Sequence, residues 1–128
     1  MESRARILMV DDEPFILSAT AQFLRSSGYE VHTCDQWVGV APIVRDVRPD
    51  LILMDYNMPG LMGDDMCRIL KRNAANADLR IVIFSSEPET DLVSIVERCG
   101  ADGFIRKNIP GHMLLELMTA HIDEVALA

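Results

Sequence analysis

Three short runs of apolar residues constrain the fold of this chain more than any other feature. They lie at residues 7–10, 51–54 and 80–84. A strand that alternates apolar and polar residues has one face in water, whereas a strand covered by helices on both faces is apolar throughout. The runs therefore predict strands of a buried parallel sheet.

The segments around these runs have their own spacing signals. Pro14 suits the first turn of a helix that ends near Gly28. Further helices are predicted over residues 40–47, 62–72, 89–98 and 111–125, and weaker strands over 29–34 and 104–106. Proline inside a helix costs about 3 kcal/mol. Because Gly39 and Pro42 fall in the second helical segment, we expect that helix to begin near Val40.

The alternation gives five β/α units. It predicts an α/β fold in which one parallel sheet has right-handed crossovers and helices on both faces. At 128 residues the chain is expected to form a single domain over residues 1–128, with no output domain in this chain. Ligands of such folds bind beyond the carboxyl ends of the strands.

Composition excludes several classes of function. The net charge of −8, without a run of Lys or Arg, argues against direct nucleic-acid binding. The apolar runs are too short for membrane insertion, and the residues at the start of the chain are not expected to form a signal peptide, so a cytoplasmic location is expected. Cys34, Cys67 and Cys99 lack metal-ligand spacing and are predicted to be buried, reduced thiols.

Polar residues follow the predicted strands at the edge where a ligand would bind. Asp11 and Asp12 follow the first strand, Asp55 the third, Ser85 the fourth and Lys107 the fifth. Three carboxylates brought together favour a bound cation. Each residue also has a plainer interpretation. The triplet Asp11, Asp12 and Glu13 could cap a helix and complement its dipole. Asp55 could belong to a turn, Ser85 could cap the fourth helix, and Lys107 could be solvated.

The matching positions, with DYNMPG at residues 55–60 and GADGFIRK at residues 100–107, resemble the response-regulator receiver domain of two-component signalling, of the chemotaxis-regulator type. The resemblance covers nearly the whole chain. It implies a flavodoxin-like fold with strand order 2-1-3-4-5 and five helices. In that order the first and third strands are neighbours, which would place Asp12 beside Asp55.

The resemblance also implies a chemistry. Asp55 would be the phosphoacceptor, taking a phosphoryl group from a sensor histidine kinase or a histidine phosphotransfer protein. Mg²⁺ would be held by Asp12, Asp55 and the backbone carbonyl of Asn57, with Asp11 acting through a water molecule. Lys107 would neutralise a phosphoryl oxygen.

A switch is implied as well. Ser85 would turn its hydroxyl to the phosphoryl group and Phe104 would swing inward, changing the face formed by helix 4, strand 5 and helix 5. That face would bind an unknown output protein or a second copy in a homodimer. Asn57 and Glu87 would tune the phosphoryl lifetime. Such a chain is a signalling domain that catalyses only its own phosphoryl transfer and dephosphorylation.

Three positions depart from the family pattern. Asn108 follows Lys107 where the family usually has proline, Met62 replaces a common acid, and Ser86 replaces a common alanine. Asn108 in place of proline leaves open whether the Lys107–Asn108 peptide bond is cis or trans. Met62 is expected to affect only the entry to the third helix. Ser86 is small, like the alanine it replaces, so access to Asp55 is expected to stay open.

Other functions remain open. The same residues suit a phosphorelay intermediate, and a phosphorylation-independent scaffold could keep the receiver shape. A phosphatase of the haloacid dehalogenase type would need an acid two residues after its nucleophile, where this chain has Asn57. A flavin-binding electron carrier would need hydroxyls or glycines after the first strand, where this chain has acids.

Overall fold

The computed structural model describes residues 5–56, 58 and 63–127, and the side chains of these residues except 63, 64 and 123–127. Within them the strands are β1 (Arg6–Val10), β2 (Glu30–Cys34), β3 (Leu51–Met54), β4 (Arg80–Ser85) and β5 (Gly103–Arg106). The helices are α1 (Pro14–Ser26), α2 (Val40–Val47), α3 (Gly63–Arg72), α4 (Glu89–Cys99) and α5 (Gly111–Leu127). Short 3₁₀ helices cover Trp37–Gly39 and Ala74–Asn76.

The strands form one parallel sheet in the order β2-β1-β3-β4-β5, so the predicted fold and strand order are confirmed. In the register of the central strands, Val10 pairs with Met54, and Met54 pairs with Ile83. The carboxyl ends of β1 and β3 therefore lie level, and β4 continues beyond Ile83 to Ser85 at the same edge. Residues that follow these strands are delivered to a common edge of the sheet.

The central strands are apolar on both sides because both faces of the sheet are covered. Leu8, Val10, Ile52 and Met54 point into a cluster with residues of α2, α3 and α4. The alternate residues of the same strands point into a cluster with residues of α1 and α5. All four residues of β3 are at most 1% exposed. Burying each such side chain contributes about 2 kcal/mol, so the sheet is a firm support for its edge.

Helix α2 begins at Val40, as the sequence predicts. The preceding 3₁₀ turn contains Gly39, and Pro42 falls in the first turn of the helix, where its missing N–H removes no hydrogen bond. A Cβ on Gly39 would stand 2.9 Å from the Cys34 sulfur. Glycine therefore allows this turn to pack against the end of β2.

The amino edge of the sheet, opposite the strand ends that carry the acids, is held by Asp102. Its Oδ2 accepts hydrogen bonds from the Ile81 amide at 2.8 Å and from Lys71 Nζ at 2.6 Å, and its Oδ1 lies 3.3 Å from Arg80 Nη1. The Asp102 amide donates to the Ile81 carbonyl at 2.8 Å. These bonds join α3, β4 and the start of β5 at the far end of α4.

The prediction for the cysteines is right for two of three. All three thiols are free, and Cys67 and Cys99 are buried. A hydrogen bond with Cys99 and burial together raise the pKa of the Cys67 thiol. Cys34 is only partly buried, so the prediction of burial is wrong there. It lies at the end of the edge strand β2, which has a neighbouring strand on one side only.

No helix in the described part of the chain is both long enough and apolar enough to cross a membrane.

Candidate functional site

The two buried acids are placed by the backbone of the sheet. The Asp55 amide donates to the Val10 carbonyl at 2.8 Å, and the Asp11 amide donates to the Cys34 carbonyl at 3.1 Å. The ladder thus continues one residue beyond β3 and β1. Asp11 is 1% exposed and Asp55 is 5% exposed, whereas Asp12 is exposed. Rigid strands rather than flexible loops therefore fix the positions of the acids.

The carboxylates of Asp11, Asp12 and Asp55 form a cluster. One oxygen from each lies within 4.8 Å of the others. The structure thus brings together the three acids that the sequence analysis selected. Carboxylates this close repel one another, so the cluster is stable only with nearby positive charge.

Lys107 supplies part of that charge. Its side chain is 7% exposed, and its Nζ lies 2.7 Å from Asp11 Oδ2 and 3.6 Å from Asp55 Oδ1. The Lys107 amide donates to the Ser85 carbonyl at 2.9 Å, so the β4–β5 ladder holds the lysine at the same edge. The ammonium also lies 5.8 Å from the centre of the Phe84 ring, within reach of a cation–π contact.

The surroundings of Lys107 keep it charged. Burial by itself lowers the pKa of the ammonium, because the charged form loses its hydration. The hydrogen bond with Asp11 and the negative charges of Asp55, Asp11 and Glu13 outweigh that effect, so the pKa of Lys107 is raised above 10.5. At neutral pH the site therefore contains a permanent cation.

One ammonium does not balance the cluster. Three carboxylates facing one lysine leave two negative charges at the edge of the sheet. Hard oxygen ligands with this charge suit a divalent cation such as Mg²⁺. The donor set therefore fits the metal that the family implies.

Asp11 is already engaged on both oxygens. Its Oδ1 accepts a hydrogen bond from the Glu13 amide at 2.9 Å, while its Oδ2 faces Lys107. The bond with the Glu13 amide lies close to the start of α1. The N-cap residue of α1 is Glu13, however, and its side chain makes no capping hydrogen bond. The capping interpretation therefore does not account for Asp11.

Ser85 is 1% exposed at the end of β4. Its Oγ accepts a hydrogen bond from the Glu87 amide at 3.2 Å. The N-cap of α4 is Pro88, so Ser85 does not cap that helix. Its hydroxyl instead holds the loop between β4 and α4, and the hydroxyl hydrogen can still be donated to a ligand.

Phe104 is half-buried and packs against the apolar cluster on the α4 side of the sheet. Its inward movement stays a prediction. Asn57 lies outside the described residues, and so does Met62, the predicted start of the third helix. No described peptide bond is cis, so the bond from Lys107 to Asn108 is trans.

Three contacts near the site were missed from sequence. Glu13 Oε1 lies 3.8 Å from Lys107 Nζ. The Tyr56 hydroxyl accepts a hydrogen bond from Arg98, and the Met58 carbonyl accepts one from Trp37. The position of Glu13 beside two aspartates was a usable signal. The other two contacts join residues 42 and 21 positions apart, and no local pattern indicates them.

Residues 7–119 match the family model described as the response regulator receiver domain. The chain belongs to this family. The match runs from the second residue of β1 into α5 and includes all of β2, β3, β4 and β5.

Curated relatives agree with the assignment. The DNA-binding response regulator MtrA of Mycolicibacterium smegmatis is 34% identical over 81% of this chain and 44% of its own length. The chain thus spans less than half of that relative. Protein PilH of Pseudomonas aeruginosa is 32% identical over 91% of this chain and 96% of its own length.

Solved structures share the fold. A CheY-like response regulator receiver domain protein from Methanospirillum hungatei JF-1 is 25% identical with a TM-score of 0.85, over 97% of this chain and 98% of that one. The BeF3-activated N-terminal receiver domain of RstA from Klebsiella pneumoniae is 25% identical with a TM-score of 0.82, over 91% and 97% of the two chains.

The charge balance of this receiver domain predicts a strong effect of replacing Lys107. Lys107→Met should lower the free energy of unfolding by about 3 kcal/mol in chelator at neutral pH, because two buried carboxylates lose their cation. Urea unfolding measures the change, with Arg45→Met as the control, since Arg45 is 73% exposed and pairs only with its neighbour Asp46 in the described structure. A loss no larger than that of the control would contradict the assigned role.

The raised pKa of Lys107 fixes the pH dependence of that difference. A group whose pKa is higher in the folded state contributes its full stability below its unfolded pKa, here 10.5, and loses it as pH rises through the folded value. The gap between wild type and Lys107→Met should therefore stay constant from neutral pH to about pH 10 and narrow above it. A gap that narrows between pH 7 and 9 would contradict this sign.

Proposed function

We propose that this receiver domain accepts a phosphoryl group on Asp55 from a phosphohistidine of a sensor histidine kinase or histidine phosphotransfer protein, in the presence of Mg²⁺. The observation that carries the proposal is the position of Asp55. Its carboxylate is nearly buried, 3.6 Å from a lysine ammonium and within a cluster of acids whose oxygens suit a divalent cation. A structural acid at a strand end has no need of this arrangement.

In the proposed step, an Asp55 oxygen forms a bond to phosphorus as the bond from phosphorus to the imidazole nitrogen breaks. The nitrogen keeps the electron pair. A carboxylate and a phosphoryl group repel each other, so the protein must position them and neutralise their charge. Lys107 would bind a phosphoryl oxygen, which its distance of 3.6 Å from Asp55 Oδ1 supports, and bound Mg²⁺ would neutralise further negative charge on the transferring group.

The residues proposed to hold Mg²⁺ are Asp12, Asp55 and the backbone carbonyl of Asn57. Asp11 would act through a water molecule. The engagement of both Asp11 oxygens with Lys107 and the Glu13 amide supports this indirect role. The exposure of Asp12 supports a direct one, because Mg²⁺ retains several waters and favours an accessible position.

The proposed output begins at Ser85. If Ser85 Oγ moves toward a phosphoryl oxygen on Asp55, the bond that it accepts from the Glu87 amide would move with it or break. Helix α4 starts only two residues beyond Glu87, so a shift of this loop reaches the helix directly. Phe104 packs against the apolar cluster that includes residues of α4, and is proposed to move inward as the loop shifts.

The face formed by α4, β5 and α5 is the proposed surface for an output protein or a second copy of the chain. Helices α4 and α5 both carry exposed apolar side chains: Val93 is 44% exposed, and Met113 and Leu117 are each 41% exposed. Apolar side chains left in water are suited to a partner.

We also propose that residues 1–128 act as a single cytoplasmic receiver domain that does not itself bind nucleic acid. The net charge of −8 supports the last of these points, because the phosphate backbone of a nucleic acid would be repelled. The DNA-binding relative MtrA is a longer protein of which this chain matches 44%. Catalysis is proposed to be limited to the domain's own phosphoryl transfer and dephosphorylation.

Phosphorylation by acetyl phosphate tests donor, site and metal together. Wild type should gain one phosphoryl group by intact-mass analysis with Mg²⁺ and none with chelator, and Asp55→Asn should gain none under either condition. Asp46→Asn is the matched control, since Asp46 is an exposed acid on α2. It should behave as wild type.

A gain by Asp55→Asn equal to that of wild type would contradict the assigned site. If neither acetyl phosphate nor a histidine kinase modifies the wild type, the phosphorylation-independent scaffold is favoured. Transfer from the domain onward to a histidine phosphotransfer protein would identify a phosphorelay intermediate.

Glu87 is proposed to tune the phosphoryl lifetime together with Asn57. The Glu87 amide donates a hydrogen bond to Ser85 Oγ, so Glu87 lies next to the proposed switch residue. Glu87→Ala should slow the loss of the phosphoryl group about three-fold or more, because a polar group that orients the attacking water is removed. Phosphorylation itself should remain. Decay is followed by intact mass after the donor is removed, with Glu97→Ala on α4 as the control. Equal lifetimes in both variants would exclude this role.

A further inference from the structure

The chain directly after Asp55 is anchored to two separate elements. Tyr56, which is 8% exposed, accepts a hydrogen bond at its hydroxyl from Arg98 Nη2 at 2.7 Å. Met58, which is 5% exposed, accepts a hydrogen bond at its carbonyl from Trp37 Nε1 at 3.4 Å. The two anchored residues flank position 57, whose carbonyl is the proposed third metal ligand.

The first anchor comes from the far end of α4. Arg98 is in the last turn of that helix, and the chain that follows it reaches the amino edge of the sheet, where Asp102 bonds to Ile81. Asp55 and Tyr56 leave β3 at the opposite edge. The Arg98 and Tyr56 side chains therefore extend toward each other from opposite edges of the sheet. A charged donor at 2.7 Å gives a short, strong hydrogen bond.

The second anchor comes from the other side of the site. Trp37 lies in the 3₁₀ turn between β2 and α2, and its ring is 8% exposed in the same apolar cluster as Tyr56 and Met58. Burial fixes the ring, and its N–H meets a backbone carbonyl that lies three residues after Asp55. The position of this carbonyl is thus restrained by a residue from a different part of the chain.

We propose that Arg98 and Trp37 are positioning residues for the metal, acting through Tyr56 and Met58. Mg²⁺ requires nearly ideal octahedral geometry. Because Tyr56 and Met58 are held before binding, these two residues would lose less conformational freedom when the ion arrives. The inference rests on the proposed function, because it assumes that the acid cluster binds Mg²⁺. It adds that affinity depends on residues that do not touch the ion.

Removing one hydroxyl tests the first anchor. Tyr56→Phe keeps the buried ring and deletes the acceptor of the Arg98 bond. The matched control is Tyr29→Phe, which deletes the hydroxyl that lies 3.1 Å from Thr119 Oγ1, away from the acid cluster. Mg²⁺ affinity is measured by isothermal titration calorimetry, and thermal unfolding in chelator reports general stability. We expect Tyr56→Phe to weaken Mg²⁺ binding about ten-fold and Tyr29→Phe to leave it unchanged.

Two further variants show whether each anchor acts as proposed. Arg98→Met should weaken Mg²⁺ binding about as much as Tyr56→Phe. The double variant should bind Mg²⁺ no more weakly than either single variant, because both changes remove the same hydrogen bond. Trp37→Phe should weaken binding through the second anchor. A loss of thermal stability in chelator with unchanged Mg²⁺ affinity would show that these contacts only support the fold, and would overturn the inference.

The outcomes separate this inference from the function on which it rests. Wild type that binds Mg²⁺ while Tyr56→Phe and Trp37→Phe bind it equally well would overturn the inference alone. Wild type that does not bind Mg²⁺ would overturn both.

Discussion

The ion pair between Lys107 and Asp11, with Asp55 close by, is the interaction on which the site depends. It joins residues that follow the first, third and fifth strands, at 2.7 and 3.6 Å. Burying three such charges is costly unless they are paired. The pairing is incomplete, since Asp12 adds a third carboxylate to the cluster. A divalent cation would balance the remaining negative charge, and this is how the fold relates to the proposed chemistry.

The rest of the fold serves to hold these charges in place. Helices cover both faces of the apolar strands, and this packing supports the strand ends. Backbone hydrogen bonds at Asp11, Asp55 and Lys107 extend the ladder just past the strands. Repulsion among the carboxylates at this edge lowers the stability of the fold, and burial of the apolar core on both faces of the sheet offsets that loss. In the proposed switch, the same packing would pass a small change at Ser85 on to α4.

Much of this could be predicted from sequence because it depends on local signals. Unbroken apolar runs indicated the parallel sheet, and the glycine and proline before and within α2 indicated its start at Val40. The family resemblance supplied the strand order, which the residues alone did not. The burial of Cys34 was predicted wrongly, because nothing local marks β2 as an edge strand. The bond between Arg98 and Tyr56 depends on how two distant side chains meet across the sheet, and no spacing encodes it.

The most direct test of the account is the effect of Mg²⁺ on thermal unfolding of wild type, Asp12→Asn and Asp46→Asn. At a Mg²⁺ concentration about 100 times the dissociation constant, binding should stabilise wild type and Asp46→Asn by about 3 kcal/mol. Asp12→Asn should gain far less and, in chelator, should be at least as stable as wild type, because one repelling carboxylate is gone. Equal gains in all three proteins would contradict the claim that this cluster is a cation site.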